Sequence, residues 1–556
     1  MKNDSLPSIL PGFLFALVLP VILYYFRFLD DNSLCRWNWV FADGPPLILF
    51  GITVVISGGA LLLSSCSMPR NKPLFLGVVA LLVGIALWGE PEIIMDTSRY
   101  FTQAKYLKIH GVEAFWRQWG GEISAWTDLP LLPFFYGLIL SGVGESRLYI
   151  QVFTTLIFIG SVLLTYLFAR DLWDEETGLL AGLLLLCYPY LLLHVPLMMV
   201  DLPTMFFLIL TVYTFYRALL QGSRWSIFMA ALAIFCLFWV KYSSWILLTV
   251  LPVIFLVHTS GNPRKTRGVA LQTMALALLL ILPLLIGLWE VIDGQLKLLI
   301  EYQRPGLKRW SESFISTFFF QTHPLVMIAA LSGLGIGLFK RDKKILIPAY
   351  LIVLLVLILQ VKRIRYLMPI FPLVAIAAAY GIRQLSSQRL RKFLVLSSLG
   401  ASLTLTFGAY LPYAKQLSIA NIKECGRFLD TLAADDIAVY TTPQNAKQAN
   451  LKINIPLLDL FTSKRLYSLI PSAEEKSPPL ELTSSFRFSW EQKLPDFYQP
   501  PPEGTDNRTP LVVISSGPPH LPPALLERVS HYHQMKAFKQ NTGLFRYTTF
   551  ATLYYE

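Results

Sequence analysis

Run after run of about 20 apolar residues, each long enough as a helix to cross a bilayer, is the feature that most limits what this chain can fold into. A globule of 556 residues needs a polar coat, and here only 15% of residues are charged, against roughly 25% in soluble domains. A hydrophobic content of 54% and a mean hydropathy of +0.53 point the same way. The expected class is an α-helical polytopic membrane protein. The 47 Lys and Arg against 35 Asp and Glu would suit nucleic acid in a soluble chain, but in a membrane protein basic residues gather in cytoplasmic loops. No nucleic-acid partner is expected; membrane lipids are. The five cysteines show no metal or redox spacing. The first apolar run has one Lys before it and no small-residue cleavage site after it, so it reads as a retained helix.

Thirteen spans are expected, over residues 8–28, 45–64, 74–89, 148–169, 178–194, 197–219, 225–240, 242–258, 269–289, 314–338, 345–361, 366–384 and 393–412. The run Leu129–Gly144 is short and carries two prolines, and counting it as a span inverts every later loop. If it reclines on the surface, the loops around Arg264–Arg267, Lys340–Lys344 and Arg383–Lys392 share the cytoplasmic face, with eleven basic residues and one acidic. The facing loops 290–313 and 362–365 hold seven basic and four acidic. The positive-inside rule therefore favours a reclining run, with the N-terminus inside and the C-terminus outside. The acidic loop 170–177 gives no support to this assignment.

From about Ala414 the composition changes. Proline clusters interrupt the last 143 residues, no run is long enough to span, and strand-like stretches Ile437–Thr441 and Leu511–Ser515 accompany a helix-like Asn421–Ala433. A small extracytoplasmic α/β domain is expected over 414–556.

This topology gathers the unusual polar residues on the outer face, and charges at membrane depth are costly enough that they are usually functional or paired. Asp96, just past a span, reads either as an N-cap of the helix Thr97–Ile109 or as a base whose pKa a low dielectric raises. Asp201, at the start of a span, reads as an N-cap or as a group that orients substrate or pairs with a cation. Lys241, Lys362, Arg363 and Arg365, in outer turns, read either as cations snorkelling to headgroups or as ligands of an anionic group. Asp128 reads as a turn residue or a substrate-orienting one. His110, His194 and His323 are isolated, without a metal-binding spacing. Trp116, Trp119, Trp126, Phe134, Phe135 and Tyr136 read as an interfacial aromatic belt.

Four stretches carry a family resemblance. They are Asp96 with Tyr100 and a helix ending at His110-Gly111; Asp128-Leu129-Pro130-Leu131; Val200-Asp201-Leu202-Pro203 with Phe206-Phe207; and Val361-Lys362 followed by Arg365-Tyr366-Leu367-Met368-Pro369. With Val240-Lys241, they resemble the polyprenyl-phosphate-dependent glycosyltransferases of the GT-C fold, the broad group of protein O-mannosyltransferases and bacterial aminoarabinose transferases. The resemblance spans roughly 74–385. It divides the chain into two extra N-terminal transmembrane helices (1–73), a GT-C-like transmembrane domain (74–413) with a large first outer loop (90–147), and the tail domain.

The resemblance implies a multi-pass protein of the bacterial inner (plasma) membrane that moves a sugar from a polyprenyl-phosphate-linked donor to a lipid, glycan or protein acceptor. It makes Asp96 the general base of an inverting attack, gives Lys241, Lys362, Arg363, Arg365 and Tyr366 the donor phosphate, and leaves Asp128 and Asp201 to orient substrate. Thr97 stands where the family often has a second acidic residue, and a divalent metal ion is the one cofactor left open. The competing reading is a transporter or flippase of a lipid-linked or anionic solute. A transporter places charge at mid-span, whereas here charge collects at the outer ends.

Overall fold

The computed structural model describes residues 45–89, 91, 95–258, 263–303, 317–417, 419–442, 451–469, 494–500, 508–515, 521–538 and 549–556, with a few positions between 14 and 25. The expected span 8–28 falls largely outside them, as do most of the tail's proline clusters. Six helices among the described residues are long and apolar enough to cross a membrane: Pro46–Leu63, Arg147–Leu172, Asp201–Gln221, Pro263–Gly287, Ile364–Arg383 and Gln388–Lys415. The chain is a multi-pass membrane protein. Several other expected spans are shorter apolar helices, and 178–194 divides into Glu175–Leu185 and Pro189–His194.

Local chemistry sets many helix starts. Asn71, Ser146, Asp174, Ser223 and Ser387 each accept a first-turn backbone N–H, filling one of the donors a helix start leaves orphaned. Helices Pro324–Phe339 and Phe371–Arg383 pack backbone to backbone at two glycines. A Cβ on Gly333 would lie 2.0 Å from the Ala377 carbonyl oxygen, and one on Gly381 would lie 2.6 Å from that of Ala329. Small residues permit this approach where lipid supplies no hydrophobic drive.

The loops that the charge count assigns to one face meet each other. Arg391 pairs with Glu176 at 2.8 Å, Arg383 with Asp174 at 3.1 Å, Arg217 with Asp171 at 3.1 Å and Lys72 with Glu175 at 2.9 Å. The acidic loop 170–177, silent under the positive-inside rule, is thus the counter-charge for its basic neighbours.

The tail forms a five-stranded mixed sheet of order β2-β1-β3-β5-β4. Its strands are β1 (Asp436–Thr442), β2 (Arg465–Ser468), β3 (Leu511–Ser515), β4 (Gln534–Phe538) and β5 (Phe550–Tyr555). β1 runs parallel to β2 and β3, while β5 runs antiparallel to β3 and β4. Alternate residues of β3 face opposite ways, as strand geometry requires. Val512 and Ile514 pack with Ile422, Cys425 and Leu429 of helix Ile419–Leu429. Leu511 and Val513 pack toward Leu525 and Val529 of helix Pro523–Ser530.

Candidate functional site

The first loop opens with helix Asp96–Gln118, which is interrupted at Gly111 (φ +84°, ψ 173°). That backbone conformation belongs essentially to glycine, so the helix breaks just where the expected one ended. The next helix, Leu131–Val143, has 13 residues. At 1.5 Å each it is ~20 Å long, shorter than a ~30 Å hydrocarbon core. It packs along the first loop helix, with Phe115, Trp116, Trp119 and Phe134 in ring contact. Trp119 is core rather than surface, and so is Tyr136, whose hydroxyl donates to the Met199 carbonyl at 2.8 Å. For these two, interior packing replaces the expected aromatic belt.

Neither Asp96 nor Asp201 caps its helix. Each occupies the first helical position, behind Met95 and Val200, and neither helix has a side-chain cap. Both carboxylates instead reach across the molecule to cations. Asp96 Oδ2 lies 2.7 Å from the Arg365 guanidinium, and Asp201 Oδ1 lies 2.6 Å from Lys241 Nζ. The side chain of Asp201 is fully buried and that of Arg365 is 19% exposed. One ring joins the two pairs: Lys241 Nζ stands 4.9 Å and Arg365 Cζ 5.8 Å from the Tyr366 ring centre. The negative face of an aromatic ring attracts both cations. Asp96, Asp201, Lys241, Arg365 and Tyr366, far apart in sequence, thus form one cluster.

The electrostatics reverse the expectation for Asp96. Burial by itself pushes its carboxyl up, but the positive charges of Arg365, Arg99 and Lys241 outweigh it and hold the pKa at about 2. An opposite charge in contact wins over a low dielectric.

Asp128 belongs to a neighbouring network. Arg99 grips it with two nitrogens, one of them 2.9 Å from Oδ1, and Gln103 Nε2 reaches Oδ2 at 3.2 Å. Both carboxylate oxygens are engaged, and Gln295 Nε2 donates to the Asp128 backbone carbonyl at 3.1 Å. Lys362 and Arg363 are half-buried in the non-helical stretch just before the helix that carries Arg365; Thr317 Oγ1 donates to the Lys362 carbonyl at 2.8 Å.

Sequence reasoning missed Arg99 and read His194 only as an isolated histidine. Arg99 follows Asp96 by three residues on the same helical face, a spacing that could have disclosed it. His194 Nδ1 meets the Tyr190 carbonyl at 2.8 Å; that oxygen only accepts, so Nδ1 carries the proton. Its Nε2 is buried with no hydrogen-bond partner, as is Asp201 Oδ2. No group of three or more His, Cys, Asp or Glu arranged to hold a metal occurs among the described residues.

Residues 128–287 match the family model for dolichyl-phosphate-mannose-protein mannosyltransferase. Among solved structures, the chain is similar to ArnT from Cupriavidus metallidurans bound to undecaprenyl phosphate, with a TM-score of 0.58 and 12% identity over 86% of this chain and 97% of that one. The apo state of the same protein gives the same values. The oligosaccharyltransferase AglB from Archaeoglobus fulgidus, in complex with an inhibitory peptide and a dolichol-phosphate, aligns over 71% of this chain and 64% of its own at 13% identity and a TM-score of 0.46. No curated protein matches. The fold is that of the GT-C class of membrane glycosyltransferases, and the resemblance to its polyprenyl-phosphate-dependent members holds.

Proposed function

We propose that this protein is a membrane glycosyltransferase that moves a sugar from a polyprenyl-phosphate donor to a lipid, glycan or protein acceptor on the extracytoplasmic face of a bacterial inner membrane. The observation that carries the reading is the half-buried Asp96–Arg365 pair beside Asp201–Lys241, because it sets a carboxylate and two cations around one ring. The family model over 128–287 and the fold shared with a protein seen bound to undecaprenyl phosphate support the donor class.

In the geometry described, Asp96 is a weak base, because Arg365 neutralises it. A donor phosphate is a stronger claimant for Arg365, since a guanidinium matches its oxygens in bidentate fashion. When Arg365 turns to phosphate, Asp96 loses its contacting cation, burial is opposed only by the more distant Arg99 and Lys241, and its basicity rises. The acceptor hydroxyl oxygen then attacks the anomeric carbon, opposite the lipid phosphate. The bond from that carbon to the phosphate oxygen breaks, and its electron pair leaves with the phosphate. The hydroxyl proton passes to Asp96, and the configuration inverts. Arg365 and Lys241 stabilise charge growing on the leaving phosphate, and Lys362 and Arg363 extend the cationic path along the same turn. Asp201 holds Lys241 and keeps one oxygen for substrate. Asp128 orients substrate indirectly, by fixing Arg99 beside Asp96. Among the described residues of the cluster, a divalent metal ion, were one required, would find the carboxylates of Asp96 and Asp201, both engaged with cations; no step is assigned to it.

Donor binding and turnover measured together in Asp96→Asn test the proposal. Loss of turnover with donor binding tighter than wild type is expected; near wild-type transfer would remove the base.

A further inference from the structure

The tail domain makes one contact that neither the fold nor the proposed chemistry requires. Lys105, on the same unbroken helical stretch as Asp96, inserts its ammonium between two carboxylates, 2.6 Å from Asp459 Oδ2 in the tail and 3.1 Å from Glu145 Oε2. Tyr498, also from the tail, donates its hydroxyl to the same Asp459 oxygen at 2.6 Å. The Asp459 side chain is 2% exposed and that of Lys105 13%. The rings of Phe101, Phe497 and Tyr498 surround the ammonium at 5.7 to 5.8 Å. Nearby, His110 Nε2 lies 3.2 Å from Asp496, and Arg147 stacks over Phe461 at 5.3 Å. This is a largely buried joint between segments 354 residues apart, not a chance surface pair.

We infer that the tail domain is a positioning clamp for the helix that carries Asp96, and that Lys105 is its positioning residue. This rests on the proposed role of Asp96. The lever is geometric. Asp96 and Lys105 are nine residues apart, ~13 Å along a helix that does not break until Gly111. One end is held by Arg365 and by Arg99–Asp128, the other by Asp459. A shift at Lys105 is transmitted along a rigid rod to Asp96. Arg365, on helix Ile364–Leu367, and Lys241, which follows helix Arg224–Val240, would hold the donor and stand on elements that carry none of the joint's residues.

The joint holds conformation rather than adding much net stability. Burial pushes the Asp459 carboxyl above the ordinary carboxylate range, with Glu145 adding to the rise, and Lys105 and Tyr498 only partly reverse it. Removing one partner of such a pair leaves an uncompensated buried charge, whereas neutralising both is often tolerated. Among the described residues, the charged and titratable groups facing Asp459 are Lys105 and Glu145 from the loop and Tyr498 from the tail; Lys108 holds Glu145 at 3.1 Å.

The test uses the full chain in nanodiscs with a polyprenyl-phosphate sugar as donor. In Lys105→Met, Asp459 can stay buried only when protonated. The variant is therefore expected to lose kcat on the order of a hundredfold at pH 8, the scale of an ångström-sized misplacement, with donor KM unchanged. Activity should recover as pH falls. Lys105→Met with Asp459→Asn, which keeps the Tyr498 hydrogen bond, should restore kcat and remove the pH dependence. Wild-type kcat in Lys105→Met, or an equal loss in the double variant with no recovery on acidification, would overturn the clamp. Either result leaves the role of Asp96 standing, because that role fails only if Asp96→Asn itself is active.

Discussion

Replacing Arg365 with alanine should separate phosphate binding from every other task of the cluster. A hydrogen bond to a charged group contributes about 1.5–3 kcal/mol, so losing the contact to the donor phosphate should weaken donor binding roughly 10- to 150-fold. Asp96, left beside the phosphate without its cation, acts in the same direction. A second consequence follows from the carboxyl itself. Arg365, with Arg99 and Lys241, holds its pKa near 2 rather than 3.8. At about 1.36 kcal/mol per unit that is worth about 2 kcal/mol of stability. Because the pKa is depressed, this contribution is present above the ordinary value near 3.8 and disappears as pH falls through about 2. Without Arg365 the carboxyl loses the largest charge opposing its burial and its pKa rises from about 2, so the variant should be less stable than wild type at neutral pH and the difference between the two should shrink on acidification. Binding of a polyprenyl phosphate to nanodisc-embedded protein, and thermal unfolding from pH 7.5 to 5, measure the two effects. A folded Arg365→Ala protein with unchanged donor affinity would refute the reasoning and return this cation to lipid headgroups.

Other consequences follow. Lys241→Met leaves Asp201 buried and unpaired, at a cost of about 3–5 kcal/mol, of which the helix N-terminus returns up to ~1; adding Asp201→Asn should recover most of the lost thermal stability, seen as a restored unfolding midpoint. Arg99→Met strips Asp128 of its main partner and should lower kcat more than donor affinity, checked by steady-state kinetics at saturating donor. Gly111→Ala meets no neighbouring atom within 4 Å, so its cost is backbone strain alone, about 1–3 kcal/mol, read from the same unfolding curve.

The parts of this molecule that depend on local pattern were legible. Apolar runs gave the helices, the break at His110-Gly111 was visible, and short strand-like stretches marked β1 and β3. The candidate residues converge for a reason the sequence also carries, since Asp96, Asp201, Lys241 and Arg365 all flank apolar runs. What escaped depends on distant partners. Asp96 and Asp201 looked like N-caps because Asp is favoured there, but a cation reached from another helix outcompetes a backbone N–H for a carboxylate. The sign of the Asp96 shift was misjudged for the same reason, because Arg365 is invisible from position 96. The Lys105–Asp459 joint links a loop to a tail whose proline-broken sequence gives no register, and no periodicity could have paired them. The spans were overcounted in regularity: 178–194, 242–258 and 345–361 each break into shorter helical pieces.

The central claim is that Arg365 exchanges Asp96 for the donor phosphate and so releases the base. Donor affinity and turnover in Asp96→Asn test it most directly. Asparagine cannot hold Arg365 as the carboxylate does and cannot take the proton. The account predicts that the variant binds a polyprenyl-phosphate donor more tightly than wild type, by about tenfold, a figure below the ceiling set by the ~2 kcal/mol pairing, and that it transfers no sugar. Unchanged or weaker donor binding would contradict the exchange, and near wild-type transfer would contradict the assignment of Asp96 as base.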